Sequence, residues 1–207
     1  MKKTLYPKTV RVKVEAKYTC QLTEKLDGSN LCIVKKDGIL YLAQRNNIFS
    51  IDEIEENKKA LYPGLYNWIN TYRDYLTENM HDNAVLRGEW LGMGKIKYPE
   101  DEFNKRFYMF AKANITEDFT LKNLYYYHEL FIYPFKNQVV PDFIGIVPVI
   151  RDLKVIPSKK DLDVIYAEYC ERVNRPVEGI IVNYTNNITK YVRLKNGKLQ
   201  EHFDRGE

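Results

Sequence analysis

Apolar residues in this chain come in short runs bounded by turn formers, and that brevity constrains the fold more than any other feature. Val10, Val12 and Val14 alternate with Arg11, Lys13 and Glu15, the period of a half-buried strand. Leu31 to Val34 and Ile39 to Leu42 flank Lys36-Asp37-Gly38, where Asp-Gly supplies the positive φ of a tight hairpin turn. The segment from Gln21 to Arg45 thus reads as a strand, a short Lys-Leu-Asp-Gly loop and a hairpin. Further β-like runs follow at Ala84–Leu86, Phe107–Ala111, Leu130–Tyr133, Ile144–Ile150, Gly179–Tyr184 and Tyr191–Leu194.

Helical periodicity is confined to two stretches. Leu61, Leu65, Ile69, Tyr72 and Leu76 recur at helical spacing with Pro63-Gly64 near the start. Ser158 and Asp161 form an N-terminal cap signature ahead of Leu162, Ile165, Tyr169 and Val173. The expected class is α+β, with antiparallel sheets and a few packed helices. At 207 residues the chain fits a single domain over 1–207 that buries its core without disulfides.

Composition narrows the function only slightly. Lys+Arg 32 against Asp+Glu 28 leaves +4, too little to imply a nucleic-acid partner unless basic surface is local. Cys20, Cys32 and Cys170 form no CxxC pair and are odd in number, which reads as reduced thiols in a cytoplasmic protein. No apolar run approaches the ~20 residues of a membrane span, so no membrane partner is expected. His81, His128 and His202 show no metal-ligand spacing.

The sharpest local feature is Glu24-Lys25-Leu26-Asp27-Gly28-Ser29-Asn30, a lysine at a strand-to-loop transition followed by Asp-Gly. Such a lysine is a candidate nucleophile, provided its ordinary pKa of ~10.4 is lowered by cations or burial. Four fragments follow in order: Arg87-Gly88-Glu89-Trp90, Phe107-Tyr108-Met109-Phe110, Val177-Glu178-Gly179-Ile180-Ile181-Val182 and Val192-Arg193-Leu194-Lys195-Asn196. Gly92-Met93-Gly94-Lys95 lacks the full phosphate-loop pattern and reads as the turn after the first of these.

With the lysine segment, the series resembles motifs I, III, IIIa, IV and V of the covalent nucleotidyltransferases: DNA ligases, RNA ligases and mRNA capping enzymes. It covers Gln21 to Lys198. Glu-Lys-x-x-Gly-x-Asn, Gly-Glu-Trp and Lys-Asn-Gly-Lys are most similar to phage-type, ATP-dependent RNA ligases of the double-strand-repairing class. The resemblance implies an ATP-grasp-like domain of antiparallel sheets and flanking helices around an ATP cleft. It implies three steps: Lys25 takes AMP from ATP, AMP passes to a 5′-phosphate end, and a 3′-hydroxyl displaces it. ATP, Mg²⁺ (or Mn²⁺) and a nucleic acid, RNA favoured and a nicked duplex expected, are the implied cofactors and partner of a monomer.

Residue by residue, the resemblance makes Lys25 the AMP acceptor, with Glu24 among the nucleotide-binding positions. Asp27 and Gly28 shape the loop, and Ser29 and Asn30 sit near metal-bound water or the strand end. Arg45 meets the nucleotide, Glu89 accepts from the ribose hydroxyl and Phe110 stacks on adenine. Glu178 organises the metal, and Arg193 with Lys195 grips the α-phosphate. Arg193 departs from the lysine usual there but keeps the charge. Few residues follow Lys195, so no OB domain is expected. DNA nicks, guanylyl transfer onto RNA, and a catalytically inactive nucleic-acid-binding scaffold stay open as alternatives.

Overall fold

The computed structural model describes residues 10–11, 20–44, 47–184, 187–195 and 198–199. In chain order its strands are β1 (Val10–Arg11), β2 (Cys20–Lys25), β3 (Ser29–Lys36), β4 (Ile39–Gln44), β5 (Asn47–Ser50), β6 (Ala84–Trp90) and β7 (Phe107–Ile115). They continue with β8 (Leu121–Tyr125), β9 (Ile144–Ile146), β10 (Val149–Leu153), β11 (Gly179–Tyr184), β12 (Asn187–Val192), β13 (Leu194–Lys195) and β14 (Lys198–Leu199). The α-helices among the described residues are α1 (Leu65–Asn79) and α2 (Lys159–Val173). None is long and apolar enough to cross a membrane. The elements fall into two compact units. One includes Gly28–Met93 and Pro99–Ile146; the other includes Gly94–Tyr98 together with the strands before Gly28 and after Ile146.

The first unit is built on one sheet in the order β5-β4-β3-β6-β7-β8, with β9 added parallel to β7. Its central hairpin forms as the Asp-Gly turn requires: Asp37 and Gly38 take φ of 51° and 77°, the two left-handed positions of a primed turn. Leu31 to Val34 are buried without alternation, because β3 lies between β4 and β6 with apolar side chains packed on both of its faces. Helix α1 lays Leu65, Ile69 and Leu76 into the core formed by one of these faces. Gly64, at φ 81°, provides the left-handed turn that starts it. Leu61 falls outside the helix but is buried in the same core. Lys35 reaches under the far end of α1 and donates to the carbonyls of Thr77 and Met80, cations being favoured at the negative end of a helix.

The second unit has a sheet in the order β1-β12-β11-β2-β10, antiparallel apart from β1 with β12. Helix α2 packs Leu162, Ile165 and Tyr169 against Leu22, Val177, Ile180 and Val182. Ser158 and Asp161 exchange the two hydrogen bonds of a capping box at its start, and Asn174 ends it in the left-handed conformation. Of the Val10–Val14 strand only β1 lies within the described residues.

Two expected strands need correction. Leu130–Tyr133 is a run of tight turns, with Phe131 bonded back to His128 and Phe135 to Ile132. Pro134 cannot donate to a ladder, and Phe131 and Phe135, four apart, both enter the hydrophobic core. Ile144–Ile150 divides into β9 and β10, and Pro148 between them offers its carbonyl to the amide of Glu24.

Burial predicts where the fold is sensitive. Ile69→Ala, at a fully buried position, is expected to lower stability by about 2–5 kcal/mol, whereas Val164→Ala, at an exposed position of α2, should change it by less than about 0.5 kcal/mol. Urea denaturation of the two variants checks the contrast; equal midpoints would contradict it.

Candidate active site

Lys25 is the last residue of β2, and the antiparallel register sets Gly179 of β11 directly across from it. Glu178 therefore lies one step beyond that pair, and its Oε2 meets Lys25 Nζ at 2.5 Å. The two side chains remain 22% and 16% exposed, so a reactant can reach the amine. A Cβ at position 179 would come within 2.1 Å of the Tyr191 carbonyl, and only glycine lets β11 and β12 close beside the ion pair. The Glu178 carbonyl accepts the amides of both Arg193 and Leu194 at 2.9 Å, which ends β12 and folds the Arg193 segment onto residue 178. Burial lifts the Glu178 carboxyl above its usual range, and the Lys25 charge pulls it part of the way back.

Arg193 has its backbone at this site, while its guanidinium Nη1 lies 3.4 Å from Asp163 on α2. Tyr191 donates its hydroxyl to the same carboxylate. Lys195 pairs with Lys198 in the β13–β14 ribbon, and its side chain lies outside the described residues, as does Arg45.

The residues flanking Lys25 are tied down. On one side, Glu24 has a fully buried carboxylate. Arg175 donates to it through Nη1 and Nη2 at 2.6 and 2.7 Å, and the Tyr169 hydroxyl adds a third bond at 2.6 Å. Both carboxylate oxygens are thereby engaged by protein groups, so the Glu24 side chain holds β2 in place. Removing one member of such a buried pair leaves an uncompensated charge, at a cost of about 3–5 kcal/mol. On the other side, Asp27 Oδ2 accepts the amides of Lys95 at 2.6 Å and Ile96 at 2.9 Å, and its own amide donates to the Tyr98 hydroxyl at 2.6 Å. Gly94 makes that loop possible, since a Cβ there would sit 2.1 Å from the Asp27 carbonyl. The segment expected to be only a turn thus carries a contact to the lysine loop.

The first unit holds its own group of expected residues. Asn30 and Glu89 are register partners on β3 and β6, with Asn30 Nδ2 donating to Glu89 Oε2 at 3.3 Å. Gly28 is packed so closely that a Cβ would lie 2.5 Å from the Trp90 carbonyl and 2.9 Å from Glu89 Cγ. Phe107, Tyr108 and Met109 are buried, while Phe110 is half-buried. The β6–β7 register jumps from Arg87↔Ala111 to Gly88↔Met109, which makes Phe110 the extra residue of a β-bulge, a device that re-aims one side chain out of the ladder. The Arg87 guanidinium stands 5.6 Å from its ring centroid. Of the three aromatic rings in that motif, Phe110 alone presents a partly open face.

Arg175, Tyr169 and Tyr98 are absent from the sequence-based set. A carboxylate as buried as that of Glu24 needs a partner, but Gln21, Thr23 and Lys25 in the same strand hide the signal, and the partners lie far away in sequence. Among the described residues no group of three or more metal-ligating side chains forms.

The model of the family described as RNA ligase matches residues 19–196. No curated protein matches the chain. Among solved structures, an archaeal ATP-dependent RNA ligase aligns with a TM-score of 0.51 at 15% identity, covering 90% of this chain and 48% of that one; this similarity concerns the fold. A mutant Naegleria gruberi RNA ligase with ATP and Mn aligns with a TM-score of 0.48 at 16% identity, over 85% of this chain and 50% of that one. A putative ATP-dependent DNA ligase from Aquifex aeolicus gives 0.48 at 14% identity, over 90% and 49%. The chain spans about half the length of these structures. The family match takes in nearly all of the described residues, from the lysine segment through Asn196, and the chain belongs to the RNA ligase family.

Proposed function

We propose that this chain joins polynucleotide ends at the expense of ATP, with RNA as the favoured strand and a nicked duplex as the favoured substrate, and that Lys25 carries AMP between two of the steps. The observation that carries this reading is the 2.5 Å pairing of Lys25 Nζ with Glu178, a partly exposed lysine beside a carboxylate, within a sequence matched to RNA ligases. First the Lys25 nitrogen loses a proton and bonds to the α-phosphorus of ATP, while the bond to the bridging oxygen breaks and its electron pair leaves with pyrophosphate. A 5′-phosphate oxygen then attacks the same phosphorus, the P–N bond breaks and Lys25 is regenerated. Finally a 3′-hydroxyl attacks the activated 5′-phosphorus and AMP departs.

Glu178 Oε2 is the nearest acceptor for the proton that Nζ must lose. The hard oxygen donors here suit a divalent ion that draws most ligands from triphosphate and water, and Glu178, close enough to Asp27 to feel its charge, is the residue that would hold it. Such an ion, Mg²⁺ or Mn²⁺, supplies charge neutralisation at the phosphates. Following the motif resemblance, Glu89 is assigned to the ribose and Phe110 to the adenine. Arg193, Lys195 and Arg45 are assigned to the phosphates and nucleotide, in a single, monomeric adenylyltransferase domain over 1–207.

Incubation of the purified protein with ATP and Mg²⁺ should add the mass of one AMP, stable to denaturation, and Lys25→Ala should add none while keeping the thermal midpoint of the wild type. An unmodified wild type, or an adduct on Lys25→Ala, refutes the reading. GTP in place of ATP, and nicked RNA beside nicked DNA, distinguish guanylyl transfer and DNA sealing. A second expectation concerns pH. Because the Glu178 carboxyl is raised, chiefly by burial, it takes up its proton above the ordinary 4.5 as pH falls, and Lys25 then loses its acceptor. Adenylylation rates should drop with an acid limb placed above that value, and Glu178→Gln should abolish the limb and slow the step on the order of 10²-fold or more. A limb unchanged in Glu178→Gln would contradict the assignment.

A further inference from the structure

The strand end that carries Lys25 is gripped on both sides by groups that the motif series does not contain. Before it, the buried Glu24 carboxylate is held by both Nη atoms of Arg175 and by the Tyr169 hydroxyl. After it, the Asp27 amide donates to Tyr98 at 2.6 Å, and the Asp27 carboxylate takes two amides of the loop that leads to Tyr98. The two grips touch each other, for the Arg175 guanidinium lies 5.6 Å from the centroid of the Tyr98 ring, within cation–π reach. Arg175 itself is only 7% exposed, and it sits just beyond the left-handed residue Asn174 that ends α2.

We infer that Arg175 and Tyr98 are positioning residues of the adenylylation step, forming a clamp that fixes the direction in which Lys25 presents its amine. Phosphoryl transfer is dominated by positioning, and in-line attack tolerates little displacement of the nucleophile. A lysine has a long, freely rotating side chain, so its reach is set by the two backbone residues around it. The clamp holds one of these neighbours, Glu24, through a buried charge and the next residue but one, Asp27, through its backbone and carboxylate. Arg175 and Tyr98 act on Lys25 through Glu24 and Asp27, the residues of the lysine segment that they hold. Burial pushes the Tyr98 hydroxyl well above its ordinary range, so it stays protonated and neutral while serving as the acceptor for the Asp27 amide.

This inference rests on the proposed adenylylation of Lys25, and the test separates the two. Tyr98→Phe removes only the oxygen that receives the Asp27 amide, and Arg175→Lys keeps the charge but loses the planar fork. Single-turnover adenylylation is followed by intact mass across an ATP series, alongside thermal unfolding and amide exchange at Asp27. The expected result is a fall of about tenfold or more in the rate at saturating ATP for Tyr98→Phe, with half-saturating ATP changed less than about twofold, faster Asp27 exchange and a nearly unchanged unfolding midpoint. Arg175→Lys should show the same loss of rate at saturating ATP. If Arg175→Lys fails to fold, Tyr98→Phe decides alone. A wild type that acquires AMP while Tyr98→Phe acquires it equally fast overturns the clamp and spares the adenylylation reading. A loss confined to half-saturating ATP, or one that merely follows a lowered unfolding midpoint, also overturns it. A wild type that never acquires AMP overturns both.

Discussion

The antiparallel register between β2 and β11 is the constraint on which the rest of this site depends. It sets Gly179 across from Lys25, and the residue just ahead of Gly179 is Glu178, whose carboxylate meets the amine. Because side chains alternate along a strand, a slip of one residue would turn Lys25 toward α2 and bring Glu24 to the open side. What prevents that slip is chemical. The Glu24 carboxylate is held by Arg175 and Tyr169, and an exchange of faces would break that buried pair and put Lys25 into an apolar core. The alternation of Leu22, Glu24 and Lys25 between the two faces is thus fixed by burial on one side and by the partly exposed Lys25–Glu178 pair on the other.

Glycines set how closely the strands around these residues can approach. Gly179 lets β12 lie against β11, Gly94 lets its loop rest on the Asp27 carbonyl, and Gly28 lets the start of β3 lie against Glu89 and Trp90. In each place a single methyl group would meet a backbone oxygen well inside van der Waals contact. These are requirements of close approach rather than of unusual backbone angles, unlike Gly38 and Gly64, whose φ is positive. Polar groups then complete what the glycines permit: backbone amides of the Gly94 loop bind Asp27, and the carbonyl of Glu178 collects two amides from the turn that ends β12.

Much of the architecture was legible from local signals. The Asp37-Gly38 hairpin, the capping box at Ser158, the periodicity of α1 and the strand Gly179–Tyr184 all form where short-range chemistry demands them. The errors came where an apolar run has no intrinsic period. Leu130–Tyr133 has strand composition, but Pro134 beside it and the four-residue spacing of Phe131 and Phe135 favour turns. The ring of Phe110 was likewise not separable from its neighbours Phe107 and Tyr108 by composition; a bulge in the ladder singles it out.

By itself the sequence determined the order of the motif residues, the class of fold and the candidacy of Lys25, since these depend on residue type and near-neighbour spacing. Only the tertiary structure decided which carboxylate stands beside that amine and which is buried behind it. Glu24 and Glu178 are both acidic residues next to a key position, yet one is consumed by Arg175 and the other faces Lys25. The partners lie some 150 residues apart in the chain, and no local pattern encodes such pairings. They follow from which faces of β2 and β11 are turned to α2, and that is settled by packing the whole sheet at once.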